Sequence, residues 1–156
     1  AGSGTTPYVG GAVEAARGRG AQTALICCTA ESRIPAELVV ALDTGAEALP
    51  GSTRLKAGTA TKIALNVVST GAFALTGRVF EGRMVAMRPT NVKLHARAAR
   101  IVAEVGRVEA ARAEELLREA AGEIRTAIAM ARLGWTAEAA REALRENGGE
   151  LHPLLG

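Results

Sequence analysis

The run from Thr53 to Thr76 constrains this chain more than any other segment. Leu55, Ile63, Val67 and Leu75 recur at helical spacing, and small residues fill most of the positions between them. As a helix it would extend roughly 36 Å, about the width of a domain. A helix apolar nearly all round belongs in an interior, so the sequence predicts a largely buried helix that ends at Gly77. Aromatic residues make up 3% of the 156 residues and hydrophobic residues 48%, so Ala, Val, Leu and Ile must build that interior. The helix opens on Gly51-Ser52-Thr53-Arg54-Leu55-Lys56-Ala57-Gly58-Thr59-Ala60, ten residues that gather hydroxyls, two cations and glycines. Ser52, Thr53 and Arg54 can each bind an oxyanion, and the amides that follow point the same way. This arrangement suits a phosphorylated or carboxylated ligand. The plainer alternative is an ordinary N-cap, with Ser52 or Thr53 satisfying the first free amides.

The rest of the chain reads as one domain, or one domain with a small appendage. A helical pattern follows Pro7, which suits a first turn, and it stops at Gly18 and Gly20. Thr23–Cys28 and Leu38–Leu42 read as short buried parallel strands, with room for a short helix at Ser32–Glu37. After a short segment at Val79–Met87, Pro89-Thr90-Asn91 opens a helix that runs to about Val105. Residues 109–147 form a run of Ala, Glu, Arg and Leu broken by Gly122, Gly134 and Gly148-Gly149. Three helices are predicted there, over 109–121, 123–133 and 137–147. Thr136 is the candidate cap of the last, and Trp135 is placed to staple onto Ala140.

The formal charge of +3 comes without a basic block or interleaved aromatics. The scattered arginines alternate with glutamates, as on a solvated helix face, which argues against nucleic acid as a partner. Cys27 and Cys28 are adjacent, so on a strand they face opposite ways and make no metal pair. A buried structural role in a reducing compartment fits them. No apolar stretch approaches the ~20 residues of a membrane span, and no signal peptide is visible. The first residue is not Met, consistent with a processed or partial polypeptide. A loop of the form Ser3-Gly4-Thr5-Thr6 ahead of a helix normally follows a parallel strand, and no such strand precedes it here. Ala1–Gly4 is then either a cloning remnant or the start of the later part of a longer protein. The continuation Thr5-Thr6-Pro7-Tyr8-Val9 favours the latter.

At these two loops the chain resembles the N-acetylmuramic acid 6-phosphate etherases, members of the sugar isomerase (SIS) fold group. Ser3 to Val9 is similar to the family's second glycine loop, and Gly51 to Ala60 to its signature. Lys62, Asn66, Ser69-Thr70-Gly71-Ala72, Gly77-Arg78-Val79, Thr90-Asn91 and Lys93-Leu94 continue the pattern. The helical tail is similar to the family's C-terminal appendage. The resemblance covers the whole chain but only about the second half of a typical member. It implies an α/β fold: residues 1–106 as the C-terminal part of a SIS domain (Rossmann-like, parallel sheet), and 107–156 as a small three-helix, UBA-like unit.

The implied activity is that of a carbon–oxygen lyase in the recycling of cell-wall amino sugars. Family members cleave the D-lactyl ether of N-acetylmuramic acid 6-phosphate to N-acetylglucosamine 6-phosphate and D-lactate, without metal or organic cofactor. A base takes the C2 proton, an acid protonates the departing lactate oxygen, and water adds to the unsaturated sugar. The family's two catalytic glutamates lie in its first half, so no catalytic residue is expected in this chain, and the chain alone is expected to be inactive. Glu14 and Glu31 are read as solvated, and His95 and His152 have no acid–base role. The implied roles are binding ones. Ser3 and Thr6 would hold the sugar phosphate, with Gly4 allowing close backbone approach. Ser52, Thr53 and Lys56 would contact the sugar or its carboxylate, and Glu47 would line the pocket; for Lys56 a surface or interface ion pair is the alternative. Ala1 stands at the first serine position of the family's loop, and Thr5 where etherases often carry Arg. The resemblance further implies a cytoplasmic homodimer. Two other readings accompany it: a non-catalytic sugar-phosphate sensor like the glucokinase regulatory protein, and a tail (109–152) acting as an independent interaction module.

Overall fold

The computed structural model describes residues 2–156, so Ala1 lies outside the described residues. Contacts divide the chain into two compact units, Ala1–Thr70 and Gly71–Gly156.

In the first unit, α1 (Pro7–Gly18) starts on proline at its first turn, where a missing N–H costs nothing. It is followed by β1 (Ala24–Cys27) and β2 (Leu38–Ala41), which pair in parallel with Ala24 opposite Leu38 and Cys27 opposite Ala41. Val13, Leu25, Cys27 and Ile34 form the buried cluster of this unit; β2, expected to be buried, is instead exposed along its length, because β1 is its one partner among the described residues, in a two-stranded sheet. The connection between the strands contains no helix, although one was expected over Ser32–Glu37. Ser32 instead turns the chain, its hydroxyl accepting from Ile34 N and donating to Gly4 O. A side chain that bonds nearby backbone in this way competes with helix formation.

The long helix α2 (Lys56–Leu75) forms as its pattern predicts, but its expected burial does not follow. Ala57 is its one buried residue, and Ile63, Val67, Val68 and Leu75 are more than half exposed. Composition records that a face is apolar, not what covers it. The two-stranded sheet of the first unit is too small to enclose a twenty-residue helix.

The second unit holds the larger core. A tight antiparallel pair, β3 (Val79–Phe80) and β4 (Arg83–Met84), precedes α3 (Val92–Gly106), α4 (Ala110–Glu119), α5 (Ile124–Leu133), α6 (Ala137–Glu146) and the short α7 (His152–Leu155). Asn91 and Thr136 cap α3 and α6 by accepting from Leu94 N and Ala139 N, as Pro89-Thr90-Asn91 and Thr136 suggested. Ala98, Ile101, Val102 and Val105 on α3 are buried in one cluster with Leu116, Ile124, Ile128 and Leu144 of the tail helices. Small side chains let the helices approach closely. A Cβ on Gly106 would lie 2.8 Å from the Ala131 Cβ. The segment after α2 turns through Gly77, which has φ +66°, and any Cβ there would sit 2.3 Å from the Glu150 Cγ.

Gly77→Ala should therefore destabilise the chain by about 1–2 kcal/mol from the left-handed backbone alone, with a further loss from displacing Glu150. Gly11→Ala is the control, being helical with nothing within 4 Å of the new methyl; it should be neutral or stabilising by up to about 1 kcal/mol. Urea denaturation followed by circular dichroism checks both.

Candidate ligand-binding site

Both loops singled out in the sequence lie in the first unit, at the carboxyl end of β1. The Cys28 N–H donates to Gly2 O at 3.1 Å, and Arg33 N reaches Gly4 O, so the first loop is laced to the chain leaving that strand. Gly4 is buried with φ +64°, and a Cβ there would meet Ser32 and Thr29 at 3.1 Å. Only glycine fits this position. The loop beyond it is held open to solvent: Ser3, Thr5 and Thr6 are exposed, and the Ser3 and Thr5 hydroxyls lie 3.0 Å apart. Thr6 stands at the N-cap of α1 without using its side chain, while its carbonyl accepts from Val9 and Gly10. Its hydroxyl makes no hydrogen bond among the described residues.

The second loop meets the first. A Cβ on Gly2 would lie 2.9 Å from the Thr53 Cβ. An open cleft of about 380 Å³ lies here, lined by Gly2, Thr53, Ala57, Thr61, Lys62 and Asn66 among others. Loop 48–55 is shaped by its own backbone, with Ser52 N bonded to Leu49 O and Leu55 N to Ser52 O. Neither the Ser52 nor the Thr53 hydroxyl is used within the described residues. The Lys56 ammonium has no carboxylate within 4.0 Å and lies over the backbone at Gly45, 3.8 Å from where a Cβ would be. No ion pair accounts for it among the described residues.

The start of α2 is where sequence reasoning fell short. The amides expected to face a ligand anion, or to be capped by Ser52 or Thr53, instead serve Glu47. Its Oε2 accepts from Lys56 N and its Oε1 from Ala57 N, both at 2.9 Å. This bidentate cap holds the Glu47 carboxyl below its ordinary value of 4.5: the Ala57 hydrogen bond contributes most, then that from Lys56, against an opposing desolvation, with the Lys56 charge adding last to the lowering. An acid placed N-terminal to a hydroxyl-rich helix start was the available signal, and only the folded loop shows that it reaches back nine residues. Lys62 and Asn66 were noted as part of the pattern; the cleft gives them a place.

Elsewhere, Cys27 is buried and donates to Thr29 O, while Cys28 lies 3.5 Å from both Ala57 O and the Thr61 hydroxyl. Glu14 and Glu31 are exposed, and His152 packs edge-on against Phe80 with ring centroids 4.9 Å apart. Among the described residues no group of three or more His, Cys, Asp or Glu side chains is placed to hold a metal ion. No helix of the described residues is long and apolar enough to cross a membrane.

Two hydroxyl-bearing loops thus adjoin on a parallel α/β unit, beside a cleft and a lysine with no carboxylate within 4.0 Å. No protein-family model matches the chain. It is 48% identical over 157 residues to the N-acetylmuramic acid 6-phosphate etherase of Yersinia pestis (strain Pestoides F), an alignment covering 99% of this chain and 53% of that protein. The same figures relate it to the protein of that name from Yersinia pseudotuberculosis serotype O:1b (strain IP 31758). The match is to the C-terminal portion of these proteins, and the chain spans about half the length of the curated relatives it matches. The resemblance carried by the two loops is thus borne out across the whole chain.

The lowered Glu47 value has a pH consequence. A carboxyl whose folded value is depressed contributes stability that is fully present above its unfolded value and is lost as pH falls through the folded one. Carbon-detected NMR titration should place the Glu47 midpoint below 4.5. Lys56 and Ala57 amide protection should decline only below that pH. A midpoint at or above the ordinary value would contradict the cap.

Proposed function

We propose that this chain is the C-terminal portion of an N-acetylmuramic acid 6-phosphate etherase, a carbon–oxygen lyase that releases D-lactate from the sugar phosphate. The carrying observation is the meeting of the Ser3–Thr6 loop with the Gly51–Ala60 loop at Gly2 and Thr53, in a chain 48% identical to proteins of that name. The Ser3 and Thr6 hydroxyls, with the backbone opened by Gly4, take the phosphate at the start of α1. Ser52, Thr53 and Lys56 address the sugar and its lactyl carboxylate, and Glu47 borders the same place.

The site as it stands binds but does not catalyse. Elimination needs a base at the C2 proton and an acid at the departing lactate oxygen, two groups with separated pKa values. Glu47 is engaged with α2, and Glu14 and Glu31 are solvent-facing. We assign the acid and base to glutamates in sequence outside these 156 residues. On this reading residues 1–106 are the C-terminal part of a SIS-type sheet domain, 107–156 its helical appendage, and the intact protein a cytoplasmic homodimer. Support for association comes from the exposed apolar side chains of α2 and from Leu38, Val39 and Val40 on β2, an uncovered surface of the kind that marks interaction sites.

A coupled D-lactate assay tests the catalytic half of the proposal. The isolated 156-residue chain should give no turnover with N-acetylmuramic acid 6-phosphate, and the polypeptide extended by a family-like first half should. Robust turnover by the isolated chain would sink the claim that the acid and base lie elsewhere. Light scattering at tens of micromolar tests the association: a dimer or larger species is expected, and a clean monomer would contradict it.

A further inference from the structure

We propose that Glu47 is a positioning residue: by closing the loop 48–55 onto the start of α2 it fixes the Ser52 and Thr53 hydroxyls for the ligand and denies the Lys56 and Ala57 amides to the ligand's anionic group. The ligand half of this inference rests on the sugar-phosphate reading above; the closing of the loop does not.

The geometry is specific. Both carboxylate oxygens are used, each on a different amide and each at 2.9 Å, so the group is locked in orientation as well as in place. The chain is bent back for this purpose. Gly45 and Gly51 stand at φ +62° and +80° on either side of Glu47, and Asp43 accepts from Gly45 N at 3.2 Å, tightening the turn ahead of it. The hydroxyls of Ser52 and Thr53, by contrast, make no hydrogen bond within the described residues. The loop therefore does not use its own hydroxyls to cap the helix, though they are the side chains best suited to the task. An acid from nine residues upstream takes that role, and the hydroxyls stay free.

The second consequence concerns selectivity. The N-terminus of a twenty-residue helix attracts anions. With Glu47 seated there, a phosphate or carboxylate gains nothing from those two amides and meets a like charge instead. The anionic groups of a ligand are directed away from the α2 start, towards the hydroxyls of both loops and towards Lys62, an exposed cation on the cleft with no carboxylate partner among the described residues. Glu47 thus separates a sugar phosphate, which can use the loop hydroxyls, from a bare anion that would otherwise settle on the helix.

The test uses the 156-residue chain, with Glu47→Ala, and with Glu47→Gln as the conservative variant that retains one acceptor. Amide hydrogen exchange is measured without ligand, and binding of inorganic phosphate and of N-acetylglucosamine 6-phosphate is measured by calorimetry. In Glu47→Ala, exchange at Lys56 and Ala57 should accelerate about tenfold or more, as expected for loss of a cap, while Ala127 and Ile128 in the second unit stay protected. Affinity for N-acetylglucosamine 6-phosphate should fall about tenfold and affinity for inorganic phosphate should rise, with Glu47→Gln between the two. A rise for one anion with a fall for the other is not what simple loosening of a loop produces. Unchanged exchange at the two amides would overturn the inference, as would freed amides with both affinities unaltered. If the unsubstituted chain does not bind the sugar phosphate, yet the amides are freed and phosphate binding rises in Glu47→Ala, the etherase reading fails and the closing and exclusion by Glu47 stand.

Discussion

The first amides of a helix find no acceptor within it, and at α2 two of them are met from a distance. Residues that lie next to the helix start in sequence could have done it, since Ser52 and Thr53 are the favoured cap types. Glu47 does it instead, with one oxygen on Lys56 N and the other on Ala57 N. Three features of the first unit follow. Loop 48–55 becomes a closed ring whose ends cannot separate. Ala57, the buried residue of α2, is tied to that ring through its N–H. The Ser52 and Thr53 hydroxyls are left without a hydrogen bond among the described residues, and Thr53 lines the cleft with Thr61 and Lys62.

The first loop depends on β1 in a comparable way. Parallel strands deliver their following loops to one end of a sheet, and β1 brings Cys28 to where its N–H can hold Gly2 O. Gly4 then turns in the left-handed region against Ser32 and Thr29, and α1 begins at Pro7. The two hydroxyl-rich loops share a border where the Thr53 side chain lies against Gly2.

Periodicity and punctuation made much of this visible in advance. Short apolar runs located β1 and β2, Pro7 and Asn91 marked helix starts, and the glycine spacing in the tail separated α4, α5 and α6. What stayed hidden was non-local. The apolar circumference of α2 predicted burial, but burial is a property of neighbours, and Ile63, Val67 and Val68 have none over much of their surface in this chain. The helix expected over Ser32–Glu37 lost to Ser32, whose hydroxyl serves Gly4 O and Ile34 N together. Glu47 was expected to line a pocket from resemblance alone, and its capping role went unread, because the acid lies nine residues before the amide it meets. The short helix α7 also went unread, since four residues carry no period.

The contrast between the two units bears on how such a site can be rigid. In the second, α3 to α6 interlock through Ala98, Val102, Ala127 and Ile128, all fully buried, and tight packing alone defines the backbone. In the first, only Val13, Leu25, Cys27 and Ile34 form a buried cluster, and apolar packing of that extent cannot hold two loops to within hydrogen-bonding tolerance of a ligand. Directional interactions must supply the precision: the two amides on Glu47, the Cys28 N–H on Gly2 O, and the Ser32 hydroxyl on Gly4 O. These bonds are charge-assisted or backbone-anchored, so they fix orientation as well as distance. The face that carries the two loops can accordingly be well ordered on the side of the chain with the smaller core. Its order is also more sensitive to the loss of a single acceptor than to the loss of a methyl group.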